Sequence, residues 1–193
     1  PLSDRAMPQS DWIIGSVALF RPRKGIEILI QALAVLRQNN YAVHLRAVGP
    51  FETPMYENVI KALAVRLGVA DMIDWVGFVQ DVDFELRKMD VLVLPSLFGE
   101  GMPMVILEAM AAGVPVVASD VEGIPEVLEH GLAGIVVKPG DADSLASALS
   151  ALMNNKYDWR NLRTNAYHLQ VEKFSDLSMA KGVAKIYDAV LAN

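Results

Sequence analysis

Residues 91–120 read VLVLPSLFGEGMPMVILEAMAAGVPVVASD, a strand, a short loop, a helix and a second strand with almost no spacer between them. Residues 91–94 are an unbroken apolar run closed by Pro95, the pattern of a strand buried on both faces. Residues 98–101 form a glycine-flanked loop carrying one acid, Glu100. Pro103 has its φ preset for a first helical turn, and Gly113 stands where a helix stops. Residues 114–118 then read as a second buried strand.

One residue of that helix is out of place. Glu108 sits in VILEAMAAG, and its neighbours at helical spacing are Met104, Val105, Ala111 and Ala112, none able to neutralise it. A buried, lone carboxylate costs on the order of several kcal/mol unless something hydrogen-bonds it. The small alanines leave room for a ligand. A vicinal diol such as a ribose suits, because one carboxylate accepts from two hydroxyls. Glu100 opens the same helix, whose free N–H groups and positive dipole end make a ready anion site. The stretch is therefore expected to hold a sugar-like ligand bearing phosphate. The alternative is that a basic side chain from elsewhere meets Glu108.

A chain of 193 residues suits one domain, or one with an appended tail. Apolar residues make up 53% and charged ones 21%, enough for a large core. The balance of 17 basic against 23 acidic residues, net −6, argues against general nucleic-acid or anionic-membrane binding. With no cysteine there is no disulfide framework, thiol nucleophile or thiolate metal site. No apolar run is long enough to span a bilayer and no signal-peptide pattern opens the chain. Its start, PLSDRAMPQSD without a methionine, reads as the edge of a fragment of a longer protein.

The first strand is expected over residues 12–20, followed by RPRKG and an amphipathic helix in which Ile26, Leu29, Ile30 and Leu33 recur at helical spacing. Arg21, Arg23 and Lys24 thus stand at the positive end of a helix, where cations are unfavourable by some tenths of a kcal/mol each. A diphosphate between them and the helix would turn repulsion into attraction; the alternative is three solvated cations on a loop.

Further strands are expected over residues 42–48, 72–76 and 133–137, and helices over 54–67, 82–88 and 141–153, with Asp141 a plausible cap. A short helix lies between Gly123 and Glu129. The last forty residues read as helical in two pieces broken near Phe174 and Ser175. Six alternations of strand and helix imply an open parallel sheet with helices on both faces. Ligands of such sheets bind at the carboxyl ends of strands where strand order reverses. RPRKG, GPF, GFV and FGEGMP each follow a strand, so the unusual features converge there.

Several motifs are absent. No G-x-G-x-x-G follows the first strand and no G-x-x-x-x-G-K-[ST] occurs, which removes dinucleotide and P-loop chemistry. His44, His130 and His168 lie on three elements, so no metal site is expected. Ser96 lacks the G-x-S-x-G context of a nucleophile elbow. Met102, Met104 and Met110 read as packing residues, the first two also lending backbone N–H groups.

These pieces resemble the C-terminal, nucleotide-sugar-binding domain of a GT-B glycosyltransferase of family 4, the group 1 type. The resemblance rests on ALFRPRKGIEILIQAL, LRAVGP, IDWVGFVQD, DVLVLPSLFGEGMPMVILEAMAAGVPVVASDVEGIPEV and GLAGIVVKPGD. Glu100 and Glu108, with seven residues between, match the E-x7-E signature in its LEAMAAG context.

The resemblance implies an α/β, Rossmann-like open parallel sheet forming one half of a GT-B fold. Residues 1–193 would be a single donor-binding domain, with a sheet core over 12–153 and a helical tail over 156–193. Glu108 would hold ribose hydroxyls, and Glu100 would contact the donor sugar at its reacting face. Backbone N–H groups from Gly101 through Met102 and Met104 to Val105, around Pro103, would hold sugar and diphosphate. Lys24 would bind the diphosphate, Phe78 and Val79 would border the base, and Gly49 joins the substrate-binding set. Many members carry an arginine five residues before the lysine, where this chain has Leu19; Arg21 is expected to take that role from a shifted position.

The implied reaction is transfer of a sugar from a nucleoside diphosphate with retention, without metal or other cofactor, through stabilisation of the leaving diphosphate and an oxocarbenium-like sugar. The two glutamates would have separate binding tasks rather than form a hydrolytic acid/base pair. The family's N-terminal acceptor domain has no counterpart in the chain, which is expected to bind donor weakly and transfer nothing alone. The tail aromatics Tyr157, Trp159, Tyr167, Phe174 and Tyr187 would pack on that domain or on the sheet. A cytoplasmic location is implied, with peripheral membrane association of the full-length protein as a variant. The alternatives are a sugar-nucleotide epimerase of the same architecture and a non-catalytic nucleotide-sugar-binding module.

Overall fold

The structure, a computed structural model, describes residue 2 and residues 5–191. Six parallel strands form one sheet: β1 (Trp12–Val17), β2 (Val43–Val48), β3 (Ile73–Gly77), β4 (Val91–Leu94), β5 (Val116–Ser119) and β6 (Ile135–Val137), in the order β3-β2-β1-β4-β5-β6. The chain winds outward from β1 to β3, then returns to place β4 beside β1 and winds outward the other way. The order reverses between β1 and β4, whose carboxyl ends therefore flank a crevice.

Helices cover both faces, as a parallel sheet requires. On one side α1 (Ile26–Gln38), α2 (Pro54–Arg66) and α6 (Ala142–Met153) share a core with Ile14, Val91 and Val93. On the other, α3 (Val82–Leu86), α4 (Met104–Ala112) and α5 (Ile124–Val127) pack with Leu92, Leu94 and Val116, joined by Ala166 and Leu169 of α7 (Trp159–Leu169), whose Trp159 and Leu162 reach the first core. Successive residues of β4 thus enter opposite cores, which is why the strand is apolar at every position. Asp141 caps α6 by accepting from the Ser144 N–H at 2.9 Å, as the sequence indicates.

Some boundaries differ from expectation for local reasons. β1 stops at Val17, and Phe20 pairs only through an isolated bridge to Phe51. RPRKG is not an open loop: Pro22–Lys24 form a 3-10 turn that ends at Gly25, φ +65°. A Cβ on Gly25 would stand 2.1 Å from the Pro95 carbonyl, so only glycine lets this turn meet the end of β4. β5 begins two residues late because Pro115 cannot donate to the ladder.

The tail divides in its attachment. Trp159 is buried and its indole N–H donates to the Asp90 carbonyl at 3.0 Å, fixing α7 to the start of β4. A π turn, Gln170–Phe174, and an extended Ser175 lead into α8 (Asp176–Leu191), which buries no side chain. Among the described residues no helix is long and apolar enough to cross a membrane.

Candidate functional site

Two loops meet at the β1/β4 reversal. The turn after β1 is stitched to the one after β4 by the Leu97 N–H, which donates to the Arg23 carbonyl at 2.8 Å. Between them lies Glu100, 4% exposed. Its Oε1 is ion-paired with Lys24 Nζ, accepts from the Ser96 hydroxyl at 2.7 Å and stands 3.5 Å from Arg23 Nη1. Two cations and a hydroxyl therefore gather on a carboxylate that has little access to water.

The sequence assigned burial to the other glutamate, and the structure corrects this. Glu108 is exposed. α4 is apolar nearly all round, yet only Ile106, Leu107, Ala109, Met110 and Ala112 face the core. Met104 (62% exposed), Glu108 and Ala111 share the arc that no element covers. Glu108 instead lines an open cavity of about 430 Å³ with Gln80, Asp81, Val82, Asp83 and Ala111. It makes no hydrogen bond or ion pair among the described residues, so no basic side chain caps it.

The methionines separate in the same way. Met110 is buried, whereas Met102, in the loop before α4, and Met104, on its uncovered arc, are exposed and do not serve the core, a second correction. At the head of α4, Pro103 provides no side-chain cap. The N–H groups of Gly101, Met102, Met104 and Val105 form no hydrogen bond among the described residues, leaving a helix end with free donors beside Glu100.

The cations take different positions. Lys24 and Arg23 face Glu100, and Arg23 Nη1 also donates to the Gly99 carbonyl at 2.8 Å. Arg21, expected to act from a shifted position, instead pairs with Glu52 at 3.3 Å, with its Nε buried and unpartnered. Leu19 is exposed at the rim. Phe78, 75% exposed, and half-buried Val79 follow β3. Gly49 has a backbone reason for being glycine: at φ +121° its Cβ would lie 1.9 Å from the Ala18 carbonyl, and its N–H donates to the Gly77 carbonyl at 2.7 Å.

Three participants escaped sequence reading. Arg23 was visible only as one of three cations, and Ser96 only as a serine without the context of a nucleophile elbow. Glu122, in the loop after β5, accepts the N–H groups of Gly99 (2.8 Å) and Glu100. Those donors, Gly99's first, hold the Glu122 carboxyl below the ordinary carboxylate range. No sequence signal marks this contact. Among the described residues no group of three or more His, Cys, Asp or Glu could hold a metal ion.

The reversal point of the sheet thus carries a buried acid, two cations and a free helix end, and comparison with known proteins shows the family. The chain belongs to the family described as Glycosyl transferases group 1, which matches residues 3–169. It is 38% identical over 136 residues to an exopolysaccharide phosphotransferase of Streptomyces coelicolor, a match covering 70% of this chain and 14% of that protein. It is 33% identical over 184 residues to the phosphatidyl-myo-inositol mannosyltransferase of Mycobacterium leprae, covering 92% of this chain and 47% of that one. Among solved structures, HepE of Anabaena in complex with UDP superimposes with a TM-score of 0.86 at 26% identity, covering 93% of this chain and 49% of that one. The chain thus spans less than half the length of each.

Proposed function

We propose that this chain is the donor-binding half of a retaining glycosyltransferase of family 4 that takes its sugar from a nucleoside diphosphate. The observation that carries the reading is Glu100 buried at the β1/β4 reversal, held by Lys24 and Ser96 beside the open end of α4. HepE was crystallised with UDP and with UDP-glucose, which supports a ligand of this class.

The diphosphate lies on the free N–H groups of Gly101, Met102, Met104 and Val105, and Lys24 turns from Glu100 to a phosphate oxygen. Glu100 is then free to accept from sugar hydroxyls near the reacting carbon. Glu108, exposed and unpartnered, accepts from the ribose diol one turn along α4. Phe78 and Val79 border the base. Charge developing on the leaving diphosphate is met by Lys24, Arg23 and the helix end, so the reading calls for no metal. Arg23, rather than Arg21, is the second cation.

The acceptor site belongs to a preceding domain. α8 presents Leu177, Val183, Ile186, Tyr187 and Val190 to solvent, an apolar surface suited to that domain. The chain alone binds donor weakly and transfers nothing, and the full protein works in the cytoplasm.

Isothermal calorimetry with UDP, GDP and ADP on this chain, Lys24→Ala and Glu108→Ala tests the reading. One nucleotide is expected to bind the wild type, about tenfold or more weaker to each variant. Equal binding to all three proteins would end the assignment.

A further inference from the structure

Glu122 is exposed, yet its backbone holds φ +43°, a region residues with a Cβ enter rarely. Its side chain closes on the loop that carries Glu100. One carboxylate oxygen accepts the Gly99 N–H at 2.8 Å and the other accepts the Glu100 N–H. Behind it, the Gly123 N–H donates to the Glu100 carbonyl at 3.2 Å. A Cβ on Gly123 would stand 2.0 Å from the Gly101 carbonyl, so the two loops touch backbone to backbone. From the opposite side Arg23 donates to the Gly99 carbonyl at 2.8 Å. Residues 99–101 are therefore clamped between the loops that follow β5 and β1.

We infer that Glu122 is a positioning residue for the donor sugar: by holding two consecutive N–H groups it orients the Glu100 side chain inward, onto Ser96 and Lys24. The inference rests on the assignment of Glu100 to the sugar and of Lys24 to the diphosphate. The clamp also divides the donors of this segment. The N–H groups of Gly99 and Glu100 go to Glu122, and those of Gly101, Met102, Met104 and Val105 stay open to the ligand. Loss of the carboxylate acts on Glu100, so it weakens recognition of the sugar more than recognition of the nucleotide.

The test uses this chain, with UDP against UDP-glucose and GDP against GDP-mannose as paired probes, on wild type, Glu122→Gly, Glu122→Ala and Glu122→Gln. Glycine accepts the positive φ without strain, so it separates the carboxylate from backbone conformation. Expected for Glu122→Gly and Glu122→Ala are nucleotide affinities within about threefold of wild type and a loss of about tenfold for the sugar nucleotide. Glu122→Gln, with one acceptor oxygen, falls between. A purely structural role would weaken both members of a pair in proportion, and that result overturns the inference, as does a Glu122→Gly protein that matches wild type. Amide hydrogen exchange without ligand supplies an independent readout: faster exchange at Gly99 and Glu100 in Glu122→Gly is expected, and unchanged exchange there overturns the clamp. A wild type that binds neither pair, nor ADP and ADP-glucose tested alongside, overturns the donor reading itself, which the exchange result leaves distinguishable.

Discussion

Glu100 and Glu108 are chemically identical and lie on one short segment, yet they meet opposite solvents. Glu100 depends on its partners. Removing the Ser96 hydroxyl leaves a buried oxygen short of a donor, which costs on the order of 1–3 kcal/mol. Ser96→Ala is therefore expected to lower the midpoint in chemical denaturation, and an unchanged midpoint would show that Lys24 alone satisfies the carboxylate. Glu108 has nothing to lose on the protein side. Glu108→Gln should leave the melting temperature in place while weakening nucleotide binding by about tenfold. A melting shift without a binding change would mean that the residue serves the fold.

At the scale of elements, the turn joining β1 to α1 does most to place the site. It needs a left-handed residue with no side chain where it passes Pro95. Gly25→Ala combines strain at positive φ with a clash against backbone, and about 1–3 kcal/mol of destabilisation is expected. Because Lys24 is the preceding residue, nucleotide affinity should fall in the same variant; calorimetry and thermal melting together check this. α8 is the opposite case. It buries no side chain, so a chain ending before Asp176 should melt within about 2 °C of the parent. A larger drop would show that α8 stabilises the sheet rather than awaiting another domain.

For the molecule as a whole, Asp90 links the amino-terminal segment, the sheet and the tail. Its carboxylate pairs with Arg5 at 2.5 Å and accepts the Ile13 N–H at 2.7 Å, while its carbonyl takes the Trp159 indole. Burial pushes the Asp90 carboxyl above its ordinary 3.8, outweighing the backbone donor and Arg5, which act the other way. The folded state then holds this proton more tightly than the unfolded chain does. The associated stability is complete below the ordinary value and is lost as pH rises through the raised one. Glu85 works in the opposite sense: the hydrogen bond from Arg46, first, and then Lys88 keep it below its ordinary 4.5, so its contribution is lost as pH falls. Relative to Asp90→Asn, the wild type should lose stability between pH 4 and the raised value, measured by denaturation at several pH values; a flat difference would refute the assignment.

Much of this was legible in the residues themselves. The unbroken apolar runs, the helical spacing, the prolines and the glycines determined six strands, their helices and a parallel sheet, because those signals act over a few neighbouring residues. The same signals placed RPRKG and FGEGMP at strand ends, and order of winding made those ends the ligand crevice. Only the tertiary structure decided which glutamate is dry, which arginine faces it and that Glu122 grips the loop. A helix apolar on nearly every side cannot reveal which arc its neighbours will cover. Nor can a chain reveal that Lys24 will meet an acid 76 residues away until β4 is laid beside β1.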